Sequence, residues 1–277
     1  MSVQRTATVL ISAIILAFPA PFGGIAQQPA PQQPAPKPAS TVLAGGEELE
    51  YEVSFLGITL GTIKMTTEPH TDLNGQTVFI CKSYIDSRPG IPFIELHSVF
   101  NSWIDKSCTF SRQFAANTKE SDNAWSYDKY VFDYDEGKFV TEKFKQKQLI
   151  ERKEFISKKK WNDGCSLFYT ARQFLFAKRN IRIPTVMMAD TVATTIAFTG
   201  KEESIEIDAV DYPIKTTYFN GEATWTGIYG VTGKFEGWFS SDDARVPIRA
   251  KMKLYVGNAN IELVRWKRAG WTPPRGE

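Results

Sequence analysis

Cys81, Cys108 and Cys165 are the only thiols in this 277-residue chain, and His70 and His97 the only imidazoles. Hydrolysis by a covalent route would need a nucleophile beside a base, which leaves Ser166 or Cys165 with His97. Gly164-Cys165-Ser166 lacks the closing glycine of a G-x-S-x-G elbow, and His70 follows Pro69 in an expected turn. Asp242-Asp243 offers two carboxylates, but neighbours in a strand point to opposite faces, so the pair converges only in a loop. Between Ser240-Ser241 and Arg245-Val246-Pro247 it reads as a turn that launches a strand. Asp133, Asp135 and Glu136 fit a hairpin turn and lack the Gly and terminal Glu of a calcium loop. With no phosphate loop, zinc-ligand spacing or dinucleotide fingerprint, the expectation is no cofactor, no metal and a non-enzymatic protein.

The compartment bears on the thiols. Arg5, the apolar run Ala7–Phe18 and Gly24-Ile25-Ala26 read as a secretory signal peptide over residues 1–26. The apolar run is shorter than the ~20 residues that span a bilayer, and Pro19 and Pro21 interrupt it. The first cysteine is Cys81, so there is no lipobox cysteine, and the mature chain is expected to be exported and periplasmic, without a membrane span. Formal net charge falls from +2 to +1 once Arg5 is removed, and near-neutrality argues against a nucleic-acid partner. In an oxidising compartment three thiols allow one internal disulfide. Cys81 and Cys108 lie in adjacent strand-like runs and are the candidate pair, while Cys165 reads as a small buried hydrophobe.

Residues 27–44 form a Pro/Gln-rich tether, 45–268 a single β-rich domain and 269–277 a C-terminal tail. From Glu47 the pattern has period two, with Leu49, Tyr51, Val53 and Phe55 alternating with Glu48, Glu50, Glu52 and Ser54. Eleven similar runs follow, the first at Thr77–Ile85 and the last at Asn260–Trp266, with one continuous run at Val186–Phe198. Turns are expected at Asn74-Gly75, Asp135-Glu136-Gly137, Asn220-Gly221 and Gly257-Asn258, and a bend or bulge at the glycines of Gly57…Gly61. One stretch changes period. Asp163 can cap a helix over 163–179, with Leu167, Phe168, Ala171, Phe174 and Leu175 on one face and Arg172, Lys178 and Arg179 on the other. The fold class is therefore mainly β: a large curved antiparallel sheet or half-open barrel of about a dozen strands, with one amphipathic helix on its concave side.

Gly46–Tyr51 with Gly57–Gly61, Asp163–Arg172 and Gly237–Pro247 together resemble the exported bacterial family called domain of unknown function 3108, over about residues 45–266. The resemblance implies a bacterial envelope protein built largely of antiparallel strands, and it carries no catalytic residues. A looser fold-level similarity is to periplasmic half-barrel carriers of lipoproteins and lipids.

Aromatics crowd the middle strands and the helix, and packing accounts for most of them. A sharper reading makes Phe93, Phe100, Trp103, Leu167, Phe174 and Leu175 the lining of a cavity for an apolar small molecule or lipid, or for an envelope protein presenting one. The alternatives are an assembly scaffold with a filled core and the hydrolase described above.

Overall fold

Side chains that alternate between water and the interior leave most of this chain with no choice but a sheet, and hairpin-length gaps make its neighbours antiparallel. The structure, a computed structural model, describes residues 41–91, 95–119, 124–226, 232–254 and 257–277. The signal segment 1–26, tether residues 27–40 and Phe93 lie outside the described residues.

The first nine strands are β1 (Glu47–Phe55), β2 (Ile58–Thr67), β3 (Thr71–Leu73), β4 (Gln76–Ser87), β5 (His97–Asp105), β6 (Ser111–Lys119), β7 (Trp125–Asp133), β8 (Lys138–Lys145) and β9 (Gln148–Ile156). Helix α1 (Gly164–Phe174) follows, then β10 (Asn180–Met187), β11 (Asp190–Ile205), β12 (Ile214–Thr226), β13 (Thr232–Ser240), β14 (Pro247–Lys253) and β15 (Asn258–Lys267). All belong to one antiparallel sheet in the order β10-β11-β12-β13-β14-β15-β1-β2-β4-β5-β6-β7-β8-β9, with β3 attached to β4. Two meanders thus meet where the first strand pairs with the last, from Glu48 opposite Lys267 to Phe55 opposite Ala259. The sheet does not close into a barrel. Its ends approach through the segment before α1, where Asn162 bridges Thr185 of β10, and through the β10–β11 turn, where the Ala189 amide donates to the Tyr130 hydroxyl of β7 at 3.0 Å.

Several expectations need correction. Asn220-Gly221 is not a turn: both residues lie inside β12, with Gly221 opposite Phe235 and Ile196. The glycine is there because the Phe235 ring lies over it, and a Cβ would also come within 2.7 Å of the Thr195 carbonyl. The Val186–Phe198 run is split by a turn at Met188-Ala189. β9, which no alternation signals, is exposed on both faces for most of its length. The helix stops at Phe174 rather than 179, and Arg172, assigned to its solvent face, is fully buried. The C-terminal tail adds itself to the sheet. Lys215 donates to the Pro274 carbonyl at 2.8 Å, and Gly276 to that of Pro213 at 2.8 Å.

Two apolar clusters form the core. The larger joins β1, β2, β4 to β8, β10, β12, β14, β15 and the first half of α1. The smaller sets Ala171 and Leu175 against Ile183, Ile196, Phe198, Phe219 and Phe239.

Candidate functional site

Among the described residues the helix is the one element that differs from its surroundings, and its attachment to the sheet is polar. Asp163 accepts from the amides of Cys165 and Ser166, each at 2.8 Å, and its own amide donates to Ser166 Oγ at 2.8 Å, which completes a capping box. Ser102 of β5 donates to the same carboxyl at 2.6 Å, so the helix start is tied to the sheet by a fully buried polar group. Burial pushes the Asp163 carboxyl up, and the bonds from Ser102, Ser111 and the two amides pull the other way without cancelling it.

From its last turn the helix projects Arg172 into a buried network. Its guanidinium meets the Glu47 carboxylate of β1 as a fork, Nη1 to Oε1 at 2.7 Å and Nη2 to Oε2 at 3.0 Å. Nη2 also donates to the Ala244 carbonyl at 2.9 Å and Nε to that of Arg245 at 3.1 Å. Arg245 returns the bond through Nη1, to the Arg172 carbonyl at 3.0 Å and the Gln173 carbonyl at 2.7 Å, capping the helix end. Arg268, just past β15, donates to Glu47 Oε2, the oxygen that Arg172 Nη2 also binds, and to the Thr41 carbonyl at 2.8 Å. Burial drives the Glu47 carboxyl up, but Arg172 and Arg268 outweigh it and hold the group below its usual value. For Arg172 the Glu47 charge overcomes burial and the pKa is raised. Both groups are therefore charged at neutral pH, and the helix is locked to β1, to the β13–β14 turn and, through Glu47, to the end of β15.

The thiols lie between these two polar ties. Cys81 faces Thr67 Oγ1, which bonds the Tyr169 hydroxyl at 3.0 Å. Cys108 Sγ donates to the Tyr169 carbonyl at 3.5 Å, and Cys165 Sγ to that of Cys81 at 3.8 Å. All three are buried and free. The expected Cys81–Cys108 bridge is not formed: the residue opposite Cys81 is Ser102, and Cys108 lies beyond the end of β5 in the following turn. Burial raises each thiol, that of Cys108 to about 12, so none is an activated nucleophile.

Other candidate residues are dispersed. His97 pairs with Asp86 and stands edge-on to Trp125, whereas its neighbour Ser98 is fully buried. Ser102, four residues on from Ser98, turns its hydroxyl to the helix start, which puts His97 on the other face of β5 from Ser166 and Cys165. The three do not assemble. Of the cavity candidates, Phe100 packs on Phe114 on the inner face, and Trp103, an odd number of residues away, lies on the outer one. Leu167, Phe174 and Leu175 join the smaller cluster rather than the larger one that holds Phe100. These residues do not line one space, and the ground beneath the helix is occupied by Tyr169, Arg172 and Leu175, none of them accessible.

Sequence reasoning missed Glu47 and Arg172. The signal was present, since Arg172 stands three residues after Tyr169 and three before Leu175 and so shares their face. The scaffold reading implies exposed strand edges, but the sequence does not mark which strand forms one. Among the described residues β9 pairs only with β8, and it exposes Leu149, Ile150 and Ile156 beside Lys153–Glu151 and Arg152–Glu142 ion pairs.

The profile of a family described as Protein of unknown function (DUF3108) matches residues 50–264. No curated protein matches the chain significantly. Among solved structures, a β-barrel-like protein of domain of unknown function DUF1849 from Brucella abortus superposes with a TM-score of 0.56 at 10% identity, over 82% of this chain and 98% of that one. A protein of Bacteroides fragilis described as exported and YmcC-like in fold has a TM-score of 0.35 at 8% identity, with 82% and 98% covered. A Parabacteroides distasonis protein described as a lipoprotein has 0.32 at 9%, with 82% and 97% covered. The likeness to the Brucella protein is one of fold.

Proposed function

The chain belongs to the DUF3108 family, and from that premise we propose that it is an exported, non-enzymatic interaction protein of the bacterial envelope that takes an extended segment of a partner polypeptide along β9. Export rests on the signal-like pattern of residues 1–26. The observation that carries the rest is the contrast between the two sheet ends. β10 is bridged by Asn162, whereas β9 ends the sheet with both faces exposed and three large aliphatics in water. A strand edge with unpaired backbone groups is a template for strand addition, and side chains on alternate positions supply selectivity. The interior favours this reading over a bound apolar cargo, because the helix fills the inner face with its own buried side chains.

A photo-activated crosslinking residue placed at Ile150 or Ile156 in the intact envelope tests it. The expected result is one discrete adduct from either site, and none from Val131 on the outer part of β7. Recovery of monomer alone from both β9 sites refutes the edge reading. Solvent extraction of the purified protein should release no stoichiometric apolar compound, and a molar equivalent of one would restore the cargo reading.

A further inference from the structure

The β1–β2 hairpin carries its most exposed aliphatic residues at its apex. Phe55 and Ile58 pair across a two-residue turn of Leu56 (φ 49°) and Gly57 (φ 79°), a tight, twist-matched geometry that fixes where the side chains point. Leu56 is 76% and Ile58 58% exposed, far from the interior that would ordinarily take them. The turns on either side end at the same rim. Phe55 pairs with Ala259 at the β14–β15 turn and its ring abuts Gly257, while the Arg88 amide, just past β4, donates to the Leu60 carbonyl at 2.7 Å. Arg88 and Lys253 are exposed and carry no ion pair to a described residue. The connections at the opposite ends of the strands mix acids, among them Asp105, Asp133, Asp135 and Asp208, with the exposed Lys158-Lys159-Lys160 run after β9. The apex rim thus presents an exposed aliphatic tip with two cations beside it, whereas the other rim carries charges of both signs.

We infer that this hairpin apex is a docking point for an anionic lipid surface: Leu56 and Ile58 enter the boundary between headgroups and acyl chains while Arg88 and Lys253 meet headgroup phosphates. The shape decides for lipid. A convex, two-residue aliphatic tip buries itself in a fluid interface without needing a matching pocket, and cations beside it are attracted to anionic headgroups. Insertion of the aliphatic tip sets the orientation, with the β1–β2 apex down on the bilayer. This does not depend on the β9 reading, since crosslinks there form or fail without changing what the apex meets.

The buried native thiols leave a new cysteine at Leu56→Cys open to selective labelling with an NBD fluorophore, and Glu136→Cys, in the β7–β8 turn of the other rim, serves as the comparison. With vesicles of phosphatidylglycerol and phosphatidylethanolamine, the label at 56 is expected to shift to the blue and brighten several-fold while that at 136 stays unchanged. Arg88→Glu with Lys253→Glu should weaken vesicle binding at least ~25-fold, about fivefold per cation, and should change nothing on phosphatidylcholine alone. Leu56→Asp with Ile58→Asp should abolish sedimentation with vesicles at an unchanged urea midpoint. A label at 56 that is silent at saturating lipid, or that responds no more than the one at 136, overturns the inference.

Discussion

Replacing Arg172 by Met keeps most of the side chain's volume and removes its charge. Four hydrogen bonds disappear from a site with no access to water: two to Glu47, at 2.7 and 3.0 Å, and one each to the carbonyls of Ala244 and Arg245. Removing one member of a buried ion pair costs about 3–5 kcal/mol, and each stranded carbonyl adds about 1–3 kcal/mol. Arg268 still faces Glu47 and offsets part of this, so the expected loss is about 4 kcal/mol. For a domain of this size that corresponds to a melting temperature lower by roughly 8–16 °C. Urea unfolding followed by tryptophan fluorescence and by circular dichroism is the assay. Arg172→Met with Glu47→Gln should cost less than the sum of the single changes by about 2 kcal/mol, because the second removes the charge that the first leaves stranded. The pH dependence has a definite sign. A carboxyl held below its usual 4.5 in the folded state stabilises above that value, and the stabilisation is lost as pH falls through the lower folded value. Wild type should therefore weaken below about pH 4.5, and the Arg172→Met protein should show less of that slope. A loss under ~1 kcal/mol, or strict additivity with Glu47→Gln, would refute the reasoning.

Two further outcomes follow from the packing. At pH 8 the folded protein should leave all three thiols unreacted with a disulfide reagent, and unfolding in urea should release three equivalents; reaction of one thiol in the folded state would contradict its burial. Gly221→Ala should destabilise by about 1–3 kcal/mol, since the added methyl meets the Phe235 ring and the Thr195 carbonyl, and shortening the ring with Phe235→Leu should recover part of the loss, as read by thermal melts.

How far the sequence foretold this molecule varies with the physics at each place. Alternation over Leu49–Phe55 and the Asp163 cap followed by a change of period are local signals, and the strands, the helix start and the mainly β class were legible from them. Gly221 misled because Asn-Gly is a turn signal by local preference, and only the opposite strand supplies the ring that demands a residue without a side chain there. Arg172 was misplaced because a cation on a helix is expected in water, and Glu47, which neutralises it, is 125 positions away. Phe100 and Trp103 were grouped by being aromatic, although an odd separation in a strand already sends them to opposite faces.

The pairing of β1 with β15 has a temporal side. Glu50 bonds Arg265 across 215 positions, so the opening strand keeps one bare flank until nearly the whole polypeptide is present. Topologies that join such remote segments assemble slowly, on the scale of milliseconds to seconds. For a chain secreted as we propose, that interval is a race, because Cys81, Cys108 and Cys165 meet an oxidising milieu while still open to reagents and are withdrawn from it only when the last strand docks.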